Sequence, residues 1–193
     1  MKPRPASVPG RRECGCHRRR RRNEIGAEKT STLVAKLVDS NVLVYRFDPR
    51  APAKQRTAEE LLLAGIADGT LTLAHQAVVE FFAAVIRPRR DLGGDPLLPI
   101  ADARVETENL LAQFPVLFPD RDVVSTALRG TAMYGLSWFD AHMWAYAEVF
   151  GLPEILSEDF EHGRHYGTVR VVNPFVSPAN GVHELPPLYT SSS

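Results

Sequence analysis

Leu33-Val34-Ala35-Lys36-Leu37-Val38-Asp39-Ser40-Asn41 is the stretch on which the fold turns. Leu33 to Val38 reads as a mostly buried strand, and Asp39-Ser40-Asn41 suits the start of a helix, because short polar side chains accept hydrogen bonds from its first free N–H groups. A strand that runs directly into a helix opens a parallel α/β arrangement. Asp39 then stands at the carboxyl end of the strand, the edge where such sheets gather their functional groups.

Beyond this stretch, strand and helix signals keep alternating. A helix is expected from about Pro52 to Ala67, with Ala58, Leu61, Leu62 and Gly65 on one side, then a turn at Asp68-Gly69 and a short strand Leu71–Ala74. His75 to Ile86 is expected to be helical and to stop before Arg87-Pro88, since a residue preceding proline leaves the helical region. Past the Gly/Pro-rich loop Asp91–Pro99, the pattern predicts a helix over Ala101–Gln113, a strand Val116–Phe118 and a helix Asp122–Tyr134 closed by Gly135. Ser137 opens a helix to Phe150, and Glu154–Ser157 and Val169–Val172 are the last expected strands. The fold class is therefore α/β, with a mainly parallel central sheet and helices on both faces.

The chain has 193 residues, room for one ordinary domain with tails, and 44% of them are hydrophobic, which fits a globular protein. No apolar run approaches the roughly 20 residues of a membrane helix, and the N-terminus lacks the apolar stretch of a secretory signal, so the cytoplasm is the expected location. The zero net charge hides a division. Residues 1–30 carry ten Lys/Arg against three Glu, a net of +7, which leaves −7 on the remainder. An acidic body must recruit a polyanion through metal ions or a few placed arginines.

Residues 1–32, with five consecutive arginines at Arg18–Arg22, read as a disordered basic extension, for which an RNA-binding arm and a start codon assigned too far upstream are the competing accounts. Cys14, Cys16 and His17 are plausible soft metal ligands there, but a fourth is missing. Residues 33–175 form the expected domain and 176–193 a flexible tail.

Four acids stand out within the domain. Asp39 and Asp159 both fall at strand ends and would face one crevice. Asp140 is the third helical residue if Ser137 is the cap, and Ser-x-x-Asp approximates a capping box, so favourable placement in the helix dipole and ligation of a metal both account for it. Glu80 shares its helical face with Gln76, Ala77, Ala83 and Ala84. Unpaired burial there would be costly, so it is solvated, paired or bound to a cation. Taken together, oxygen ligands without Cys or His suit magnesium, or manganese, rather than zinc. Two such ions about 4 Å apart can activate water and hold a scissile phosphate.

Leu37-Val38-Asp39-Ser40-Asn41-Val42-Leu43-Val44-Tyr45, Val79-Glu80-Phe81, Gly135-Leu136-Ser137-Trp138-Phe139-Asp140-Ala141 and Leu156-Ser157-Glu158-Asp159-Phe160-Glu161-His162-Gly163, in this order and spacing, resemble the PIN domains, and within them the VapC-type toxins of bacterial toxin–antitoxin pairs. Val169–Phe175 looks like that family's closing strand. The resemblance covers about 36–175 and implies an α/β/α sandwich and a magnesium-dependent endoribonuclease, held inactive by a cognate antitoxin protein and working as a homodimer. It also implies that Asp39 and Asp140 are the principal metal ligands, that Glu80 and Asp159 complete the catalytic quartet, and that Ser40, Asn41 and Ser137 orient acids or water. Glu158 is a lesser candidate, because on a strand it faces opposite to Asp159. Residues 1–32 have no counterpart in the family.

Two rival readings stand beside this one. A phosphatase of the haloacid-dehalogenase kind also starts at a strand-end Asp, but needs a second Asp where this chain has Asn41 and a later lysine, and none follows Lys54. A catalytically silent PIN module binding RNA or a protein partner is the non-enzymatic alternative, against which the intact quartet argues.

Overall fold

Leu37 and Val38 are fully buried at the centre of a six-stranded sheet, and the rest of the molecule is arranged around them. The computed structural model describes residues 35–176. The basic extension 1–32, with Cys14, Cys16 and His17, and the tail beyond Val176 lie outside the described residues, as do Leu33 and Val34 at the start of the first expected strand. Among the described residues no helix is long and apolar enough to cross a membrane.

The elements follow in the order β1 (Lys36–Val38), α1 (Ser40–Tyr45), α2 (Pro52–Asp68), β2 (Leu71–Ala74), α3 (His75–Val85), a 3₁₀ turn (Arg90–Leu92), α4 (Ile100–Gln113), β3 (Val116–Leu117), α5 (Arg121–Tyr134), α6 (Trp138–Phe150), β4 (Glu154–Leu156), β5 (His165–Tyr166) and β6 (Val169–Val172). The strand order is β3-β2-β1-β4-β6-β5. All neighbours are parallel except the β5–β6 pair. Every residue of β2 is buried, including Thr72. Side chains alternate between the faces of a strand, so unbroken burial means that both faces of the sheet are covered there.

The register aligns the strand ends that matter for the site. Val38 pairs with Leu73 on one side and Leu156 on the other, and the Asp39 N–H extends the ladder to the Leu156 carbonyl at 3.0 Å. The Ser157 N–H likewise reaches the Val172 carbonyl at 3.1 Å. Asp39 and Ser157 thus leave adjacent strands at the same edge.

Helix ends are set by local chemistry. Asp39 caps α1, and Asp120 caps α5 by accepting from Asp122 N and Val123 N at 2.9 and 3.0 Å, which starts that helix one residue earlier than the sequence pattern suggests. Gly135 closes α5 at φ 66°, a left-handed conformation that glycine adopts without steric cost. The α5–α6 pair packs closely at Gly130, where a Cβ would lie 2.7 Å from Trp144 Cε3. Trp144 cannot easily yield, because its Nε1–H donates to the Tyr166 carbonyl at 2.8 Å.

Two features depart from the sequence expectation. The apolar run Val116–Phe118 yields a strand of only Val116–Leu117, and Phe118 is left exposed. The antiparallel edge pair of β5 and β6, joined through Gly167-Thr168, was not anticipated, because two residues, His165 and Tyr166, carry no detectable period.

Candidate active site

Asp39 is the buried centre of the carboxyl edge, only 6% exposed. Its Oδ1 accepts from Ser40 N at 2.6 Å, and its Oδ2 from Ser157 Oγ at 2.5 Å and Asn41 Nδ2 at 3.2 Å. The Asn41 amide also donates to Ser157 Oγ and to Asp159 Oδ2, each at 3.1 Å. The Asp159 N–H closes the ring by donating to Ser157 Oγ at 3.1 Å. β1, the first turn of α1 and the segment after β4 therefore hold two carboxylates on one amide and one hydroxyl.

Glu80 joins from α3. Ser40 Oγ donates to its Oε2 at 2.8 Å, so neighbouring residues of α1 serve different acids. Gln76, one helical turn earlier, donates from Nε2 to Glu80 Oε1 at 2.8 Å and to the Phe139 carbonyl at 3.1 Å, and its Oε1 meets His142 Nδ1 at 2.7 Å. This amide ties α3 to the first turn of α6. Asp140 stands in that turn with its carboxylate on the Ser137 hydroxyl, Oγ to Oδ2 2.7 Å, while Asp140 N donates to Ser137 Oγ at 3.2 Å. Ser137 caps α6 as its spacing to Asp140 suggests, but the Asp140 carboxylate meets the Ser137 hydroxyl and not its backbone N–H, so only half of a capping box is made.

The sequence-predicted residues thus divide. Asp39, Asp159 and Glu80 share one hydrogen-bonded network with Ser40 and Asn41, whereas Asp140 and Ser137 form a separate pair, connected to it through the backbone at Phe139 and the Gln76 amide. Glu158 turns away to Lys54 Nζ and the Tyr45 hydroxyl. Ser157 and Gln76 are members that sequence reasoning passed over. The available signals were position, Ser157 directly after β4 and Gln76 one turn before Glu80.

Electrostatics sharpen the picture. Burial pushes the Asp39 carboxyl up to about 6; the Ser157 and Ser40 hydrogen bonds oppose the shift, and Asp159 and Glu80 add like-charge repulsion. Among the described residues, none of Asp39, Glu80, Asp140 and Asp159 takes part in an ion pair. Burial also lowers the His142 pKa against the pull of Glu80, so the ring supplies no offsetting charge at neutral pH.

This donor set fits a hard divalent cation. It consists of oxygens without a balancing Lys or Arg, and the buried Asn41 Oδ1 beside Asp39 has no hydrogen-bond partner. Among the described residues no three His, Cys, Asp or Glu side chains are grouped to hold a metal together: Asp39, Asp159 and Glu80 are linked through Asn41 and Ser40, and Asp140 stands apart from them.

A mainly parallel α/β sheet with acids at its carboxyl edge defines the class. The chain belongs to the PIN domain family, which matches residues 36–167, more than half its length. Solved structures share the fold. A toxin–antitoxin complex from Klebsiella pneumoniae is 18% identical with a TM-score of 0.51, over 72% of this chain and 98% of that one. VapBC2 from Rickettsia felis, bound to a DNA fragment from its promoter, is 8% identical with a TM-score of 0.52, over 71% and 96%. FitAB bound to the IR36 DNA fragment is 19% identical with a TM-score of 0.51, over 74% and 96%. No curated protein matches the sequence.

Proposed function

We propose that this chain is the toxin of a type II toxin–antitoxin pair, a cytoplasmic magnesium-dependent endoribonuclease that hydrolyses RNA phosphodiester bonds, with manganese as an alternative cation. One observation carries the reading. Asp39 is buried at the sheet's carboxyl edge, linked to Asp159 through Asn41 and to Glu80 through Ser40, with no ion-paired cationic side chain among the described residues to offset it. Such a cluster is costly unless a cation joins it, and a bound divalent cation can activate water and hold a scissile phosphate.

Asp39, Asp140, Glu80 and Asp159 would hold the ion. When bound, it supplies positive charge at the phosphate and eases removal of a proton from water. The chain's own contribution is orientation. Ser40 N and Ser157 Oγ fix both oxygens of Asp39, the Asn41 amide holds Asp159 beside it, and Ser40 Oγ with Gln76 sets the rotamer of Glu80. Ser137 steadies Asp140 in the first turn of α6. Groups fixed in this way lose little freedom when ligand arrives.

The partners that follow are an RNA substrate, an inhibitory antitoxin and a second copy of the chain. The exposed Val124, Leu128 and Met133 of α5 offer apolar surface for protein contacts. The test is incubation of the full chain with structured RNA in Mg²⁺ and in EDTA. Endonucleolytic products in Mg²⁺ and none in EDTA are expected. Equal cleavage in both would overturn the metal-dependent reading, and no cleavage in either would favour a silent module that only binds RNA or protein.

A further inference from the structure

Trp138 and Phe139 open α6 beside the acidic network, yet neither side chain is used to close the core: they are 42% and 63% exposed. Nor does the helix start require them, since Ser137 and Asp140 already provide the cap. With Val79, itself exposed, and with His75, Glu80 and His142, they line a cavity of about 260 Å³. That is below the roughly 300–1,000 Å³ of pockets for drug-sized ligands and suits a single planar ring system.

The wall of this cavity is held in place. The Trp138 ring stacks on His142 with centroids 5.7 Å apart and planes 21° from parallel. His142 is fixed in turn by the Gln76 Oε1 contact and by the edge of Tyr146. Gln76 also bonds Glu80 and the Phe139 carbonyl, so one amide sets the spacing between the aromatic wall and the acids. Glu80 belongs to both.

On the reading of the acids as a phosphodiesterase site, on which this inference rests, we infer that Trp138 and Phe139 are a nucleobase-stacking subsite for a nucleotide flanking the scissile phosphate. The surroundings favour an uncharged base over an anionic group. Residues 31–193 carry a net of −7, the cavity has a carboxylate on its rim, and a base presents an uncharged π-face there. Stacking on aromatic side chains supplies affinity without demanding positive charge, and a ring already held by a neighbour loses little entropy on binding.

The test uses the two tryptophans of the chain, of which Trp144 is buried and Trp138 exposed. Titration of the full chain with a short single-stranded oligoribonucleotide of mixed sequence, with Ca²⁺ in place of Mg²⁺, should quench the Trp138 emission. Trp138→Ala and Phe139→Ala should each weaken binding on the order of tenfold and raise KM with a smaller change in kcat, and Trp138→Tyr should recover most of the loss. Unchanged Kd and KM in both alanine variants, with cleavage intact in the parent, would overturn the subsite and leave the ribonuclease reading standing. Absence of RNA binding and cleavage in the parent would remove both. Dissociation of a dimer in the alanine variants, with Kd for RNA unchanged, would assign the wall to a contact between copies instead. Near-ultraviolet circular dichroism of each variant separates local effects from loss of folding.

Discussion

Asn41 Nδ2 lies 3.1 Å from Asp159 Oδ2, a contact that spans 118 residues of sequence and joins the first turn of α1 to the segment after β4. The same nitrogen donates to Asp39 Oδ2. One uncharged amide therefore holds two carboxylates that would otherwise separate, since like charges at short range repel. Asn41→Ala should release Asp159 and lower Mg²⁺ affinity about 10- to 100-fold. Thermal melts across an Mg²⁺ titration read this directly, because a ligand of the native state raises Tm as its concentration exceeds its Kd. An unchanged titration midpoint would show that the clamp does not shape the site.

Asp39 has its folded pKa near 6, above the unfolded value of 3.8. A raised carboxyl favours the folded state while it is protonated. That contribution is complete below 3.8 and is lost as pH climbs through about 6. Above this window the buried charge costs the metal-free protein about 3 kcal/mol at most, since a tenfold change in proton affinity is worth roughly 1.4 kcal/mol. Asp39→Asn keeps an acceptable helix cap and removes the charge. The amide loses one acceptor oxygen at every pH, so the pH-dependent part is what counts: in EDTA the variant should be about 1–3 kcal/mol better off, relative to the parent, at pH 7.5 than near pH 4. Denaturant titrations at the two pH values check this, and equal effects at both would contradict the burial argument.

Glu158 and Asp159 are adjacent in sequence and differ in surroundings. Glu158 is engaged by Lys54 and Tyr45, and Asp159 by Asn41. Glu158→Gln should leave RNA cleavage within about twofold and cost on the order of 1–2 kcal/mol of stability, because the pair with Lys54 is partly buried and the Tyr45 hydroxyl also bonds the carboxylate. Asp159→Asn should reduce cleavage by about 100-fold or more. A reversal of the two effects would move the site to the other side of the chain.

Gly130 tests the packing beneath the site. A Cβ there meets Trp144 Cε3 at 2.7 Å and Cζ3 at 2.8 Å. Gly130→Ala would gain helix propensity, but overpacking against a hydrogen-bonded indole outweighs it, with a net loss of about 1–3 kcal/mol. Equilibrium urea unfolding measures the change, and a stabilised variant would show that α5 and α6 can part without cost.

Much of this was legible in the sequence for identifiable reasons. The strand-to-helix step at Val38–Asp39 combines a buried apolar run with a capping residue, and both signals are local. Ser137 caps α6 through the Asp140 N–H, as their spacing announces, and Gly135 stops α5 where a left-handed residue is needed. What was not legible depends on contacts distant in sequence. Ser157 is an ordinary residue until β4 is paired with β1, when its hydroxyl meets Asp39. Gln76 was visible as a neighbour of Glu80, but its link to Phe139 exists only once α3 packs beside α6. Phe118 reads as strand and core by hydropathy, yet β3 is an edge strand and ends before it.

The acids at the carboxyl edge are proposed to carry metal-dependent RNA hydrolysis. Its most direct measurement is the initial rate of RNA cleavage in saturating Mg²⁺ by the parent chain and by the Asp39→Ala, Asp140→Ala double variant, both shown by circular dichroism to be folded. Cleavage by the parent and loss of the Mg²⁺-dependent rate in the variant are expected. Cleavage by the double variant at the parent's rate would contradict the proposal.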